Sequence, residues 1–141
     1  MTGYPHAIDR LTGPVLASAV ARLCLVSAYL VGGLDKLSDL PAAYAETAHF
    51  GLQPAWLWAW ATIGVELAGS ALVLSGRLVW LGAAMLALFT LAASVLANAF
   101  WTMQGAARFA AFNAFFEHLG LIGGFILAAM VVARDRSGAP R

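Results

Sequence analysis

The chain has 141 residues, 62% of them hydrophobic and 11% charged, with a formal net charge of +1. Soluble domains run at about 45–50% apolar and about 25% charged, and a chain this short has too much surface to hide such an excess from water. The composition therefore excludes a soluble globular domain and a disordered chain, and the absence of a basic tract excludes a nucleic-acid binder; an α-helical integral membrane protein remains, with the lipid bilayer as its first partner.

A helix needs roughly 20 apolar residues to cross the hydrocarbon core, and four segments reach that length. The first, Val15–Leu34, is longer than the apolar core of a signal peptide and carries Arg22 inside it, so it reads as a retained transmembrane helix. The link from Asp35 to Gln53 holds Asp35, Asp39 and Glu46, and its segment Pro41–Phe50 reads as a short interfacial helix. The second span, Pro54–Leu74, opens on a proline, which suits a first helical turn. Ser75–Arg77 is a tight turn, so this span forms an antiparallel hairpin with the third, Leu78–Trp101, which carries no charge. Thr102–Ala111 reads as a loop. The fourth span runs from about Phe112 to Ala133, with Glu117 and His118 in its first turns. The expectation is an all-α membrane protein, an antiparallel four-helix transmembrane bundle. Residues 1–141 form one domain, with helices near 15–34, 54–74, 78–101 and 112–133.

Orientation follows from the Lys/Arg asymmetry of loops and tails. Arg10, Arg77, Arg134, Arg136 and Arg141 fall on one side, Lys36 and Arg108 on the other, which places both termini in the cytoplasm. Trp56, Trp58, Trp60 and Trp101 then mark the outer interface and Trp80 the inner one.

Charges inside spanning helices cost several kcal/mol, so they should face the bundle and find partners. Arg22 lies seven residues into the first span and Glu66 eight before the end of the second. Both depths come to roughly 10–12 Å from the same boundary, which predicts an Arg22–Glu66 buried ion pair. Such a pair either fixes helix register or belongs to a functional site. Each span also carries one stripe of smaller or more polar residues: Arg22, Val26, Tyr29, Gly33 and Lys36 on the first; Ala83, Ala87, Thr90, Ser94 and Asn98 on the third. On the fourth, Gly120 and Gly124 have the spacing that permits close helix approach. Asp35, Lys36, Asn98, Glu117 and His118 gather toward the outer end. This outer polar cluster is either a ligand site, such as one for a quinone ring, or a polar network sealing the bundle mouth.

The histidines lack metal-ligand spacing, so no metal site is expected. The single Cys24 can form neither an internal disulfide nor a Cys-x-x-Cys pair.

The order of several short segments resembles the DoxX family of membrane proteins. They are Arg22; Gly32-Gly33-Leu34-Asp35-Lys36-Leu37; Gly51-Leu52-Gln53-Pro54; Glu66-Leu67-Ala68-Gly69; Leu74-Ser75-Gly76-Arg77; and Phe115-Phe116-Glu117-His118-Leu119 leading into Gly123-Gly124. The resemblance runs from about Leu16 to Met130, and Arg22, Lys36 and Glu66 are its family-typical positions. DoxX-like proteins often carry a Lys-Asn pair where this chain has Glu117-His118, a departure that makes a Lys36–Glu117 pair attractive.

The resemblance implies a four-helix protein of the bacterial inner membrane. Some members of the family are similar to small membrane subunits of a thiosulfate:quinone oxidoreductase. Others look like membrane partners of soluble enzymes in oxidative-stress complexes. The leading expectation is a membrane subunit or partner of a redox system, without a covalently bound cofactor, that handles quinone and works beside a soluble or membrane oxidoreductase. A non-catalytic anchor or assembly protein and a small transporter acting as a homo-oligomer are the alternatives.

Overall fold

Long runs without a helix breaker, rich in Leu, Ala and Val, dictate the secondary structure. The computed structural model describes residues 14–137, with side chains for 16–134. It contains α1 (Pro14–Ser38), a short α2 (Leu40–His49), α3 (Ala55–Ser75), α4 (Val79–Ala97), a 3-10 turn (Phe100–Thr102) and α5 (Gly105–Ser137). No strand occurs among the described residues. Four spans are long and apolar enough to cross a bilayer: Leu16–Ser38, Ala55–Ser75, Val79–Thr102 and Gly105–Arg134. The protein is an all-α membrane bundle. Of the arginines that set the expected orientation, Arg10 and Arg141 lie outside the described residues, as does the side chain of Arg136.

Local chemistry sets the ends. The Asp39 side chain accepts a hydrogen bond from the Ala42 N–H at 3.1 Å and caps α2, with Pro41 in its first turn. The Thr47 hydroxyl reaches the Ala55 carbonyl at 3.0 Å and ties α2 to the start of α3. Gly76 ends α3 in the left-handed region, φ 70°, and donates its N–H to the Val73 carbonyl. Four ends differ from expectation: α4 stops at Ala97, short of Trp101, α5 runs on to Ser137, past Ala133, and two differences enlarge the helices where a loop is expected. α1 runs on through Asp35-Lys36-Leu37-Ser38, and α5 starts at Gly105, so most of the expected Thr102–Ala111 loop is helix. Both stretches are polar or small enough to break the hydropathy signal, yet between Ala106 and Ala111 nothing breaks a helix.

The spans pack in chain order, α1 on α3, α3 on α4 and α4 on α5, while α1 and α5 touch only lightly. Lipid tails are as apolar as leucine, so close packing rather than water exclusion holds such helices together. The buried centre is Val26, Tyr29, Val73, Ala83, Leu86 and Phe125. Leu88, Phe109 and Leu127 are among the many large apolar side chains on the outside, where the bilayer is their solvent.

Candidate functional site

The site grows from two glycines. A Cβ on Gly33 would stand 2.8 Å from Leu67 Cδ2 and 3.3 Å from Glu66 Cβ, so α1 approaches α3 here only because the side chain is missing. That contact sets Glu66 against Gly32 and Gly33. Side chains on a helix lean toward its N-terminus. Lys36, one turn past Gly32, therefore reaches back over it. Its Nζ lies 3.3 Å from Glu66 Oε1 and 3.4 Å from Oε2. Both side chains are largely shielded, at 18% exposure for Lys36 and 7% for Glu66.

The expected Arg22–Glu66 pair is not formed. The Arg22 guanidinium lies at the far end of α3 instead, with Nη1 2.9 Å from the position a Cβ on Gly76 would take. Gly76 is ten residues past Glu66, about 15 Å along the helix axis. Measuring each depth from its own helix end failed because those ends are not level and because Arg22 also leans toward the start of α1. Nor does Lys36 pair with Glu117. The lysine is engaged with Glu66, and Glu117 is exposed on α5.

Next to the ion pair lies a hydroxyl relay. Thr90 donates its one proton to the Leu86 carbonyl at 2.6 Å, so the Tyr29 phenol donates to Thr90 Oγ1 across 2.5 Å. One turn on, Ser94 donates to the Thr90 carbonyl at 2.7 Å. Its oxygen is then left to accept from His118 Nδ1, also at 2.7 Å. This assigns the ring proton to Nδ1 and leaves Nε2 as the nitrogen open to a ligand. The Asn98 amide nitrogen also stands near His118 Nδ1, at 3.4 Å, but with both atoms as donors it adds proximity rather than a hydrogen bond.

Lys36, Glu66, Tyr29, Thr90 and His118 line one cavity of about 590 Å³, whose remaining wall is mostly apolar. Glu46 and Thr47 of α2 and the following Phe50 close it at one end. Trp58 and Ala61 of α3 and Ala92 and Leu96 of α4 also line it and are themselves exposed, so the cavity opens on the bundle surface between these two spans.

Of the expected outer cluster, the structure brings Lys36 and His118 to this cavity and sets Asn98 beside His118. Asp35 and Glu117 are exposed and do not line it. Tyr29, Thr90 and Ser94 stood on the sequence stripes but were not singled out as site residues. Glu46 and Thr47 carried no signal, because a short interfacial helix gives no hint of folding back over the bundle. Among the described residues no three His, Cys, Asp or Glu side chains gather as a metal site.

The DoxX family model matches residues 17–99, more than half of the chain. This protein belongs to the DoxX family. No curated protein and no solved structure matches it. The part of this DoxX chain that the family model covers runs from α1 through α4. It includes Arg22, Lys36, Glu66, Tyr29 and Thr90, whereas Glu117 and His118 stand beyond it on α5.

Proposed function

We propose that this DoxX protein is a quinone-linked component of a redox system in the bacterial inner membrane, holding a quinone head group in its cavity and presenting it to a partner oxidoreductase. The observation that carries this reading is the cavity itself. Its size falls in the range of small-molecule sites, about 300–1,000 Å³, and apolar walls with a few fixed polar groups are what such sites offer. Its mouth lies between two membrane spans and is flanked by apolar side chains, a route suited to a molecule dissolved in lipid.

A quinone carries two carbonyl oxygens that accept hydrogen bonds, and it takes up two protons with two electrons on reduction. The Lys36 ammonium is a donor for one carbonyl. His118, its ring proton held on Nδ1, presents Nε2 as an acceptor, which suits the hydroxyl of the reduced quinol at the other oxygen and can take its proton when the quinol is oxidised. Glu66 holds the lysine in place and keeps the buried charge balanced. Electrons come from the partner. The Lys/Arg excess on the side of the chain ends supports cytoplasmic ends, and with them an α2 and a cavity toward the outer face.

The test is a tryptophan-fluorescence titration of the detergent-solubilised protein with a short-chain benzoquinone, using Trp58 in the cavity wall as reporter. Saturable binding is expected, weakened about tenfold by Lys36→Gln, which removes a hydrogen bond from a charged group, while His118→Ala weakens binding of the corresponding quinol by a similar factor. Glu117→Gln, away from the cavity, should bind as the parent does. No saturable binding by the parent protein, or equal binding by all three variants, would overturn the reading.

A further inference from the structure

A second opening lies at the other end of the bundle, between α1 and α5. These helices meet where Gly124 admits Leu25: a Cβ on Gly124 would stand 2.9 Å from Leu25 Cδ1. Toward the chain ends they part, leaving a groove of about 470 Å³ lined by Ala17, Ala21, Arg22, Leu127, Ala128 and Val131 among others. Its stretch of α1, from Ala17 to Leu25, is about 12 Å long. Apart from Arg22 and Ser18 the lining side chains are apolar.

Arg22 has no carboxylate partner among the described side chains. Its Nε is buried with no hydrogen-bond partner. One side of the guanidinium stands over Gly76, where the carboxyl end of α3 offers about half a negative charge. That leaves the five-donor fork, which matches phosphate geometry, largely unused. The depth is also informative. Gly76 caps the span Ala55–Ser75, so the guanidinium stands level with the end of a membrane-crossing helix, where a bilayer's phosphates begin.

We propose that the α1–α5 groove binds one anionic phospholipid of the leaflet on the side of the chain ends. Its phosphate sits on Arg22 and its acyl chain lies along Ala21, Leu127 and Val131. A second copy of the chain fits the groove less well. Among the described side chains the exposed carboxylates Asp35, Asp39, Glu46 and Glu117 all stand at the opposite end of the bundle, so a copy crossing the membrane in the same sense brings none of these four to Arg22. A lipid supplies the apolar chain and the negative charge together, at the depth where both are needed.

Native mass spectrometry of the protein released from detergent tests this, with dioleoyl phosphatidylglycerol and dioleoyl phosphatidylcholine offered in equal amounts. The expected result is one retained phosphatidylglycerol, preferred about tenfold, with the preference abolished in Arg22→Gln and unaffected by millimolar inorganic phosphate. If Arg22→Gln fails to fold, Ala128→Phe keeps the arginine and fills the groove, and the same loss of preference is expected. No preference in the parent protein, a preference that survives either variant, or displacement of the lipid by inorganic phosphate would overturn the proposal.

Discussion

Glu66 had two cations on α1 to choose from, and geometry made the choice. A carboxylate in a spanning helix must be compensated, and Arg22 and Lys36 stand fourteen residues apart on one face of α1. Both lean toward the start of α1. That carries the arginine out to the end of α3 and brings the lysine back to the level of Gly32 and Glu66. Breaking a buried pair from one side leaves an uncompensated charge, whereas replacing both partners with apolar groups is often neutral. Lys36→Met should therefore lower stability by about 3 kcal/mol, and Lys36→Met with Glu66→Leu should recover most of the loss. Thermal unfolding in one detergent, across the single and double variants, checks this. A double variant as unstable as the sum of both single changes would mean that the pair is not coupled. The residue types of the site were legible in the sequence, since charges in apolar helices are conspicuous. Their pairing was not, because it depends on the stagger of two helices and the lean of two side chains, neither of which hydropathy records.

At the scale of the helices, glycine decides where they touch. A Cβ on Gly82 would stand 2.6 Å from the Gly69 carbonyl oxygen and 2.8 Å from Leu72 Cβ, so α3 and α4 are in backbone contact at this point. Backbone cannot step aside as a flexible side chain can, so Gly82→Ala should force the helices apart at a cost of about 1–3 kcal/mol. Gly120 has nothing within 4 Å of its Cβ position, and Gly120→Ala should change stability by less than about 0.5 kcal/mol. Comparing the two unfolding temperatures tests the assignment, and equal losses would refute it. The Gly120-x-x-x-Gly124 spacing looked like a single contact surface in the sequence. Only Gly124 meets a neighbour, the Leu25 side chain, because α1 reaches α5 at that one level. Four spans and a hairpin turn were readable from apolar length and from Ser75-Gly76-Arg77. The start of α5 was not, since Arg108 interrupts the hydropathy of a stretch with good helix formers and no breaker, and its guanidinium lies 5.9 Å from the centre of the Phe100 ring.

Across the whole molecule, the two openings divide the bundle into functional ends. The cavity with Lys36, Glu66 and His118 lies toward α2, and the groove with Arg22 lies toward the chain ends. With four spans, both described ends fall on one side of the membrane, so a single labelled position fixes the sense of the whole chain. The α3–α4 turn is the place to put it, but removing Arg77 would alter the charge balance on which the expected orientation rests. Ser75→Cys in a Cys24→Ser background keeps that arginine and adds one thiol at an exposed position. Gln104→Cys in the same background marks the opposite side, just before α5. A membrane-impermeant maleimide applied to the outside of intact cells should label Gln104→Cys and leave Ser75→Cys untouched until the membrane is opened. The reverse pattern would put α2 and the closed end of the cavity in the cytoplasm. The proposed partner oxidoreductase would then have to be sought on that side, the side of the end at which Lys36 and His118 line the cavity.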